Sequence, residues 1–342
     1  MTPPIPDRYA RQLVLPEVGE EGQARLAAAA VAIVGCGATG TVIANHLVRA
    51  GVGSIRIIDR DWVEGNNLQR QLLFDEKDAR EQTPKAAAAE RRLREVNGEI
   101  RVQGIVDDLN ATNVDALLAG CHLVMDGSDN FEVRYLINDW CVREGLPWVY
   151  CGAVATYGMT LLIRPGVTPC LRCLFPEPPA PGTAATCDTA GVLGPAVGII
   201  ASQASVEALK WLLGHTDALA AGLIHVDAWE TTWHVFEITR KSGCPCCERH
   251  EFPHLEEAAV SHATALCGRN SVQVTPARTA RVDLEAAEER LRPVGPVSRT
   301  PHLLKLDLGE LQLNLFPDGR AIIQGTDDES VARSLYSRYV GS

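Results

Sequence analysis

Short apolar runs recur along the first half of the chain, at residues 31–34, 55–59, 100–106, 123–126 and 148–152, with stretches of helical apolar spacing between them. That alternation of strand and helix predicts a mostly parallel, doubly wound α/β sheet. A further run at 159–164 extends the sheet, and a Pro/Ala/Gly/Thr-rich stretch at 176–186 reads as a loop. A long helical pattern over about 195–213 is followed by strand-like runs at 223–227 and 233–239, which read as an antiparallel extension. The pattern divides the chain into a main domain, residues 1–250, and a small α+β module, residues 251–342. In the module it predicts a strand at 271–274, a helix from 283 to 291, a hairpin of 303–307 and 311–316 turned by Pro317-Asp318-Gly319, and a last helix from 328 to 339.

The first strand runs into Gly35-Cys36-Gly37-Ala38-Thr39-Gly40 and then a helical pattern, the sequence form of a nucleotide-binding strand–turn–helix. In such a loop the first glycine permits the tight turn, the second lets backbone approach phosphate, and the third lets the helix pack close to the strand. The helix opening near Thr39 would offer free N–H groups to an anion. Asp59 ends the second strand at the distance expected of an acid that accepts hydrogen bonds from ribose hydroxyls, the other reading being a turn cap. A Rossmann-like loop and acid alone fit an NAD(P)-dependent oxidoreductase as well as an ATP enzyme.

Composition narrows the partners. The 342 residues and 46% hydrophobic content are enough for one large domain and a small one. With 43 acidic against 32 basic residues, a formal charge of -11 and no basic run, a nucleic-acid or anionic-membrane surface is not expected. Residues 1–8 show no charged region leading into an apolar one, and no uninterrupted apolar stretch approaches membrane-spanning length, so a soluble, cytoplasmic protein is the expectation. In a reducing compartment the 11 cysteines read as thiols, metal ligands or a nucleophile.

The residues after Asp59 turn the reading from hydride transfer to triphosphate chemistry. Asn66, Asn67, Gln69 and Arg70 form a polar cluster beyond a strand end, and Lys85 joins them. Arg70 and Lys85 supply what reaction at an α-phosphate needs, charge neutralisation of the phosphate oxygens and of departing pyrophosphate. Asp129, with Asn130 beside it, follows the 123–126 strand and suits Mg²⁺ at the carboxyl edge of the sheet; the alternative is a cap for the helix starting near Phe131. Cys170-Leu171-Arg172-Cys173 and Cys244-Pro245-Cys246-Cys247 are two knuckles about seventy residues apart that match a tetrahedral, structural zinc site, with Cys246 as a spare thiol. Cys187, just before the long helical pattern, is either a thiolate nucleophile or a bystander. Cys36, Cys121, Cys141, Cys151 and Cys267 sit in ordinary contexts that burial explains.

Taken together, Arg8-Tyr9-Ala10-Arg11-Gln12, the glycine loop, the 55–59 strand, residues 66–70, Pro84-Lys85, residues 126–130, both cysteine pairs and the segment 186–194 resemble the ThiF/MoeB/HesA family, bacterial relatives of ubiquitin-activating enzymes. The resemblance covers roughly residues 8 to 248. It implies adenylation, with Mg-ATP, of the C-terminal glycine of a ubiquitin-like sulfur-carrier protein ending in Gly-Gly, as activation for thiamin or molybdopterin synthesis. It also implies a homodimer in which Arg11 enters the partner's site as an arginine finger, Cys244 and Cys247 as the second zinc pair, an acyl-disulfide or thioester role for Cys187, and a sulfur donor such as a cysteine desulfurase or a rhodanese. A carboxylate nucleophile is already ionised near neutral pH, so no general base is needed, and none stands out beside the cluster. The competing readings are a catalytically silent scaffold that binds the carrier, and the oxidoreductase, which lacks a hydride-transfer constellation. Residues 251–342 lack the cysteine-centred loop expected of a rhodanese; carrier docking or dimer contact is the expectation there.

Overall fold

The structure, a computed structural model, describes residues 7–129, 131–177, 190–256, 262–266, 270–275 and 282–340. The chain divides into two compact units, one ending at Glu257 and the other starting at Ala258.

In the first unit β1 (Ala30–Val34) turns Val31 and Ile33 to one face and Ala32 and Val34 to the other, and all four are buried. A strand covered on both faces has no polar side to show, so it reads as an unbroken apolar run. Around it lie β2 (Ser54–Ile58), β3 (Arg101–Ile105), β4 (Leu123–Asp126), β5 (Trp148–Val154), β6 (Tyr157–Ile163), β7 (Gly222–Asp227) and β8 (Thr232–Glu237), in the order β3-β2-β1-β4-β5-β6-β7-β8. The first five are parallel, and β6, β7 and β8 add antiparallel.

The helices of this unit are α1 (Ala10–Leu13), α2 (Gly19–Ala28), α3 (Ala38–Ala50), α4 (Glu76–Glu81), α5 (Lys85–Val96), α6 (Val114–Leu118), α7 (Phe131–Glu144), α8 (Leu171–Leu174), α9 (Gly194–Leu213) and α10 (Pro253–Glu256). Apolar faces of α3, α5 and α9 cover one side of the sheet, with Ile43, Leu47, Leu93, Ile200 and Ala204 at its core. Residues of α6, α7 and α8 and the cysteine knuckles cover the other, with Leu118, Tyr135, Trp140 and Leu171. Among the described residues α9 is the one helix long and apolar enough to cross a membrane; half of it is buried, and it lies against α3, β5 and β6.

The second unit is an antiparallel sheet of β9 (His262–Leu266), β10 (Ser271–Thr275), β11 (Val297–Arg299), β12 (Leu304–Asp307), β13 (Gln312–Leu315) and β14 (Ala321–Gln324), in the order β11-β12-β13-β14-β10-β9. Helices α11 (Leu284–Leu291) and α12 (Glu329–Tyr339) begin at Asp283 and Asp328, whose carboxylates accept from N–H groups of the first turn. The predicted hairpin is corrected in one respect. β12 and β13 turn at 308–311, where Gly309 has φ +86°, whereas Pro317-Asp318-Gly319 joins β13 to β14. The Asp-Gly pair is the stronger turn signal, and it serves the pairing of β13 with β14, a strand the sequence reading did not pick out.

Crossovers this tight depend on missing side chains. A Cβ on Gly104 of β3 would stand 2.1 Å from the carbonyl oxygen of Ala86 in α5 and 3.2 Å from Glu90 Cβ, while the Gly104 N–H donates to Glu90 Oε2 at 2.6 Å. Gly104→Ala is expected to lower the unfolding free energy by about 1–3 kcal/mol in urea titration, against less than about 0.5 kcal/mol for Gln103→Ala on the exposed neighbour. Equal stability of the two variants would contradict this packing.

Candidate nucleotide site and cysteine cluster

The glycine loop is shaped by backbone meeting backbone. Gly35 has φ +89°, and a Cβ there would lie 2.6 Å from the Gly127 carbonyl. A Cβ on Gly40 would lie 2.0 Å from Gly35 O, and one on Gly127 2.4 Å from the same oxygen. Gly37 is different: the nearest atoms to a Cβ there, Gln71 Nε2 and Gly127 O, are 3.9 Å away. Gly35 and Gly40 are thus demanded by packing, and Gly37 presents the open side of the loop. α3 starts on Gly37 with no side-chain cap, and Thr41 N is bonded to Gly37 O at 3.0 Å. The N–H groups of its first turn are the donors that such a helix start offers to an anion.

Asp59 stands beside this turn. Its Oδ2 accepts from Cys36 N at 2.6 Å and its Oδ1 from Asp61 N at 2.7 Å. Burial pushes the Asp59 carboxyl above its ordinary value, and Lys85 pulls it back. Lys85, the first residue of α5, is 3% exposed, with Nζ 3.0 Å from Asp61 Oδ2. Arg70 Nη1 donates to Asn66 O at 2.8 Å, and Asn66 and Gln69 are exposed. Asn67 is buried: its Oδ1 accepts from Glu64 N at 3.0 Å and its Nδ2 donates to Asn66 Oδ1 at 2.8 Å, so its side chain shapes the Gly65–Asn67 turn. Asp129 is exposed just past β4, where its charge favours the cationic forms of Arg60 and Arg134. Asn130 and Cys187 lie outside the described residues.

Two groups escaped the sequence reading. Arg134 Nε sits 3.0 Å from Asp126 Oδ2 at the end of β4, and its Nη2 donates to Ser128 O at 2.8 Å. Asp126 also accepts from Ser128 N at 2.9 Å and Ser128 Oγ at 2.6 Å, so this buried pair holds the turn that carries Asp129. Burial pushes the Asp126 carboxyl up, and Arg134 opposes it. An arginine inside a mostly apolar helix face gives no spacing signal. The second is Gln71, 4% exposed beside the glycine loop, one residue beyond the polar run that sequence singled out.

Arg11 is exposed on α1, at the other end of the sheet. Gln12 Nε2 donates to Ala50 O at 2.9 Å, Asn97 Nδ2 donates to Tyr9 Oη at 2.9 Å, and Arg8 Nη1 donates to Val96 O at 3.0 Å. Those acceptors and donors mark the C-terminal ends of α3 and α5, whereas the glycine loop lies at the N-terminus of α3. The 13 residues of α3 separate the two ends, a length of about 20 Å.

Across the sheet, the sulfurs of Cys170, Cys173, Cys244 and Cys247 all lie within 4.8 Å of one another, buried. Separations of 3.6 Å for Cys170 and Cys244, 3.5 Å for Cys173 and Cys247 and 4.0 Å for Cys170 and Cys173 match the roughly 3.8 Å edge of a tetrahedron with 2.3 Å metal–sulfur bonds. The cluster is therefore compatible with a metal site. Cys246 turns to α7 instead, where its sulfur accepts from Asn138 Nδ2 at 3.1 Å, and Asn138 Oδ1 accepts from Leu171 N at 2.9 Å. Asn138 thereby joins the two knuckles.

Residues 9–246 match the model of the ThiF family. Over 337 residues, 98% of this chain and 99% of the relative, the sequence is 42% identical to a Bacillus subtilis protein named sulfur carrier protein ThiS adenylyltransferase. The SAMP-activating enzyme E1 of Haloferax volcanii is 38% identical over 263 residues, 75% of this chain and 96% of that protein. Among solved structures, E. coli MccB with ATP is similar at a TM-score of 0.61 and 25% identity, covering 71% of this chain and 75% of that one. With the family pattern running from the α1 turn, across the glycine loop, Asp59, Arg70 and Lys85, into the second cysteine knuckle, the chain belongs to the ThiF family.

Proposed function

We propose that this protein is an adenylyltransferase that uses ATP to activate the C-terminal glycine carboxylate of a ubiquitin-like sulfur-carrier protein of the ThiS or MoaD type, releasing pyrophosphate, for thiamin or molybdopterin synthesis. The observation that carries the reading is the end-to-end match to the ThiS adenylyltransferase, and the site supports it. Phosphates would lie at the open side of the loop at Gly37 and the uncapped start of α3, and Asp59, beside that turn, is the acid assigned to the ribose. The carrier carboxylate attacks the α-phosphorus; its oxygen forms the new P–O bond as the bond to the β-phosphate oxygen breaks. Arg70 and Lys85 stabilise the charge that leaves with pyrophosphate, Lys85 by exchanging Asp61 for a phosphate oxygen. Asn66, Gln69 and Asn130 would line the same nucleotide, with Asn67 holding the turn that carries Asn66.

Asp129, an exposed carboxylate at the carboxyl edge, is the residue that would hold Mg²⁺, which would supply further neutralisation of the triphosphate. Four buried thiolates would hold Zn²⁺ in a closed, structural site. Arg11 cannot serve the loop of its own chain from the far end of α3, so on this reading it completes the site of a partner in a homodimer. Cys187 is the thiol proposed to take up the activated acyl group, its thiolate forming a thioester as the acyl–phosphate bond breaks and AMP leaves, ahead of sulfur delivery by a cysteine desulfurase or rhodanese. The second unit is assigned to carrier docking or dimer contact, and the setting is the cytoplasm.

Carrier-dependent exchange of labelled pyrophosphate into ATP is expected for the wild type, with a loss of about 10²–10³-fold in Arg70→Ala and at least as much in Arg11→Ala. Mixing the two inactive variants should restore about one quarter of wild-type exchange, because half the reassorted dimers carry one intact site. No restoration would remove Arg11 from the partner's site, and no wild-type exchange would leave a carrier-binding scaffold.

Purified protein should contain about one zinc per chain, and Cys170→Ser should lose both the metal and a large part of thermal stability. Metal-free wild-type protein with four titratable thiols would defeat the assignment.

Cys187→Ala should retain pyrophosphate exchange within about twofold while losing carrier thiocarboxylate by mass spectrometry. Intact thiocarboxylate formation would remove the thiol from the reaction.

A further inference from the structure

A nucleotide with phosphates at Gly37, past the end of β1, and ribose at Asp59, past the end of β2, is laid across the strand order β1, β2, β3, so its base continues outward over the ends of β2 and β3. That strip of the edge carries an ion pair. Arg60 Nη1 meets Asp108 Oδ1 at 2.9 Å, with the side chains 21% and 19% exposed. The pair is built in from both sides. Asp108 O accepts from Asn110 Nδ2 at 2.9 Å and from Asn113 Nδ2 at 2.8 Å, and Asn113 Oδ1 accepts from Asn110 N at 2.8 Å. Arg60 Nε faces Asp61 Oδ1 at 3.9 Å, and Asp59 N is bonded to Ile105 O at 3.1 Å, which closes the β2–β3 ladder directly beneath.

A guanidinium gripped at its edges by carboxylates engages a ligand through its flat face, and Arg stacks plane on plane with aromatic systems, a geometry that the compact ammonium of Lys does not reproduce. Its charge is already matched by Asp108 and Asp61, with Asp129 nearby, which suits it to a neutral base and not to a phosphate. We propose that Arg60 is a base-binding residue of the nucleotide site, a platform on which the adenine of ATP stacks, and that Asp108 is the positioning residue that holds its plane. This rests on the ATP-dependent reading given above.

The test is calorimetric binding of ATP and of inorganic tripolyphosphate to the full-length protein. Arg60→Ala should weaken ATP about tenfold and leave tripolyphosphate within about twofold of wild type. Arg60→Lys, which keeps the charge without the plane, should recover little of the loss, and Asp108→Ala should weaken ATP by a smaller factor with tripolyphosphate again unaffected. Retained tripolyphosphate binding also reports an intact glycine loop. Equal loss of both ligands in Arg60→Ala, unchanged ATP binding, or full recovery by Arg60→Lys would each overturn the platform. Wild-type ATP binding with the expected pattern but no carrier-dependent exchange would defeat the adenylation reading and leave the platform standing; wild-type exchange with unaltered ATP binding in Arg60→Ala would do the reverse.

Discussion

Everything at the carboxyl edge of the sheet depends on a backbone contact in which side chains have no room. Gly35, Gly40 and Gly127 meet where β1 and β4 part, so the loop that opens α3 and the loop that carries Asp129 are built against each other. Any Cβ at these positions collides with main chain, which cannot swing aside as a side chain can. The Gly127 N–H bond to Val34 O at 2.7 Å and the Gly35 N–H bond to Ile58 O at 2.8 Å extend the ladder right up to the turn. An anion therefore meets N–H groups already fixed in place, and little ordering remains to be done on binding.

Charge at this edge is compensated before any ligand arrives. Lys85 is paired with Asp61, Arg134 with Asp126 and Arg60 with Asp108. Uncompensated cations at such burial would cost several kcal/mol each. The pairs differ in what they allow. Asp126, fully buried, is held by three bonds from Arg134 and Ser128 and braces its turn. Lys85 has a single flexible ammonium held by Asp61, and on the proposed reading it would trade that carboxylate for a phosphate oxygen at similar electrostatic cost. The same chemistry thus gives a fixed brace on one side of the glycine contact and an exchangeable cation on the other.

Much of this was readable in sequence because it rests on local rules. The glycine loop announces itself through residue types that only tight backbone requires, and Asp59 through its place at a strand end. Cys170 and Cys173, Cys244 and Cys247 announce themselves through knuckle spacing, and their sulfurs do converge. What escaped depends on partners far apart in the chain or on side-chain direction. Arg134 looks like one more helix residue until β4 is set beside it. Asn67 and Asn66 are adjacent, chemically alike and bonded to each other, yet one is buried and the other exposed, because Asn67 is drawn in by the bond its Oδ1 accepts from Glu64 N at the start of the turn. The misplaced turn in the second unit has the same origin: Asp318-Gly319 and Gly309 are both turn formers, and only strand pairing decides which joins β12 to β13.

The two ends of α3 carry the last consequence. Its N-terminus opens on the glycine loop, and its C-terminus anchors the α1 turn through Gln12, with Gln23 Nε2 bonded to the same Ala50 oxygen at 3.0 Å. A helix is too stiff to bring its ends together, so Arg11 is held away from the loop of its own chain by the element that builds that loop. On the proposed reading, a lone chain would bind nucleotide while lacking one cation for the departing pyrophosphate, and chemistry would wait on assembly. Binding and turnover would then respond differently to dilution: affinity for ATP set within one chain, and rate set by the fraction of chains that have found a partner.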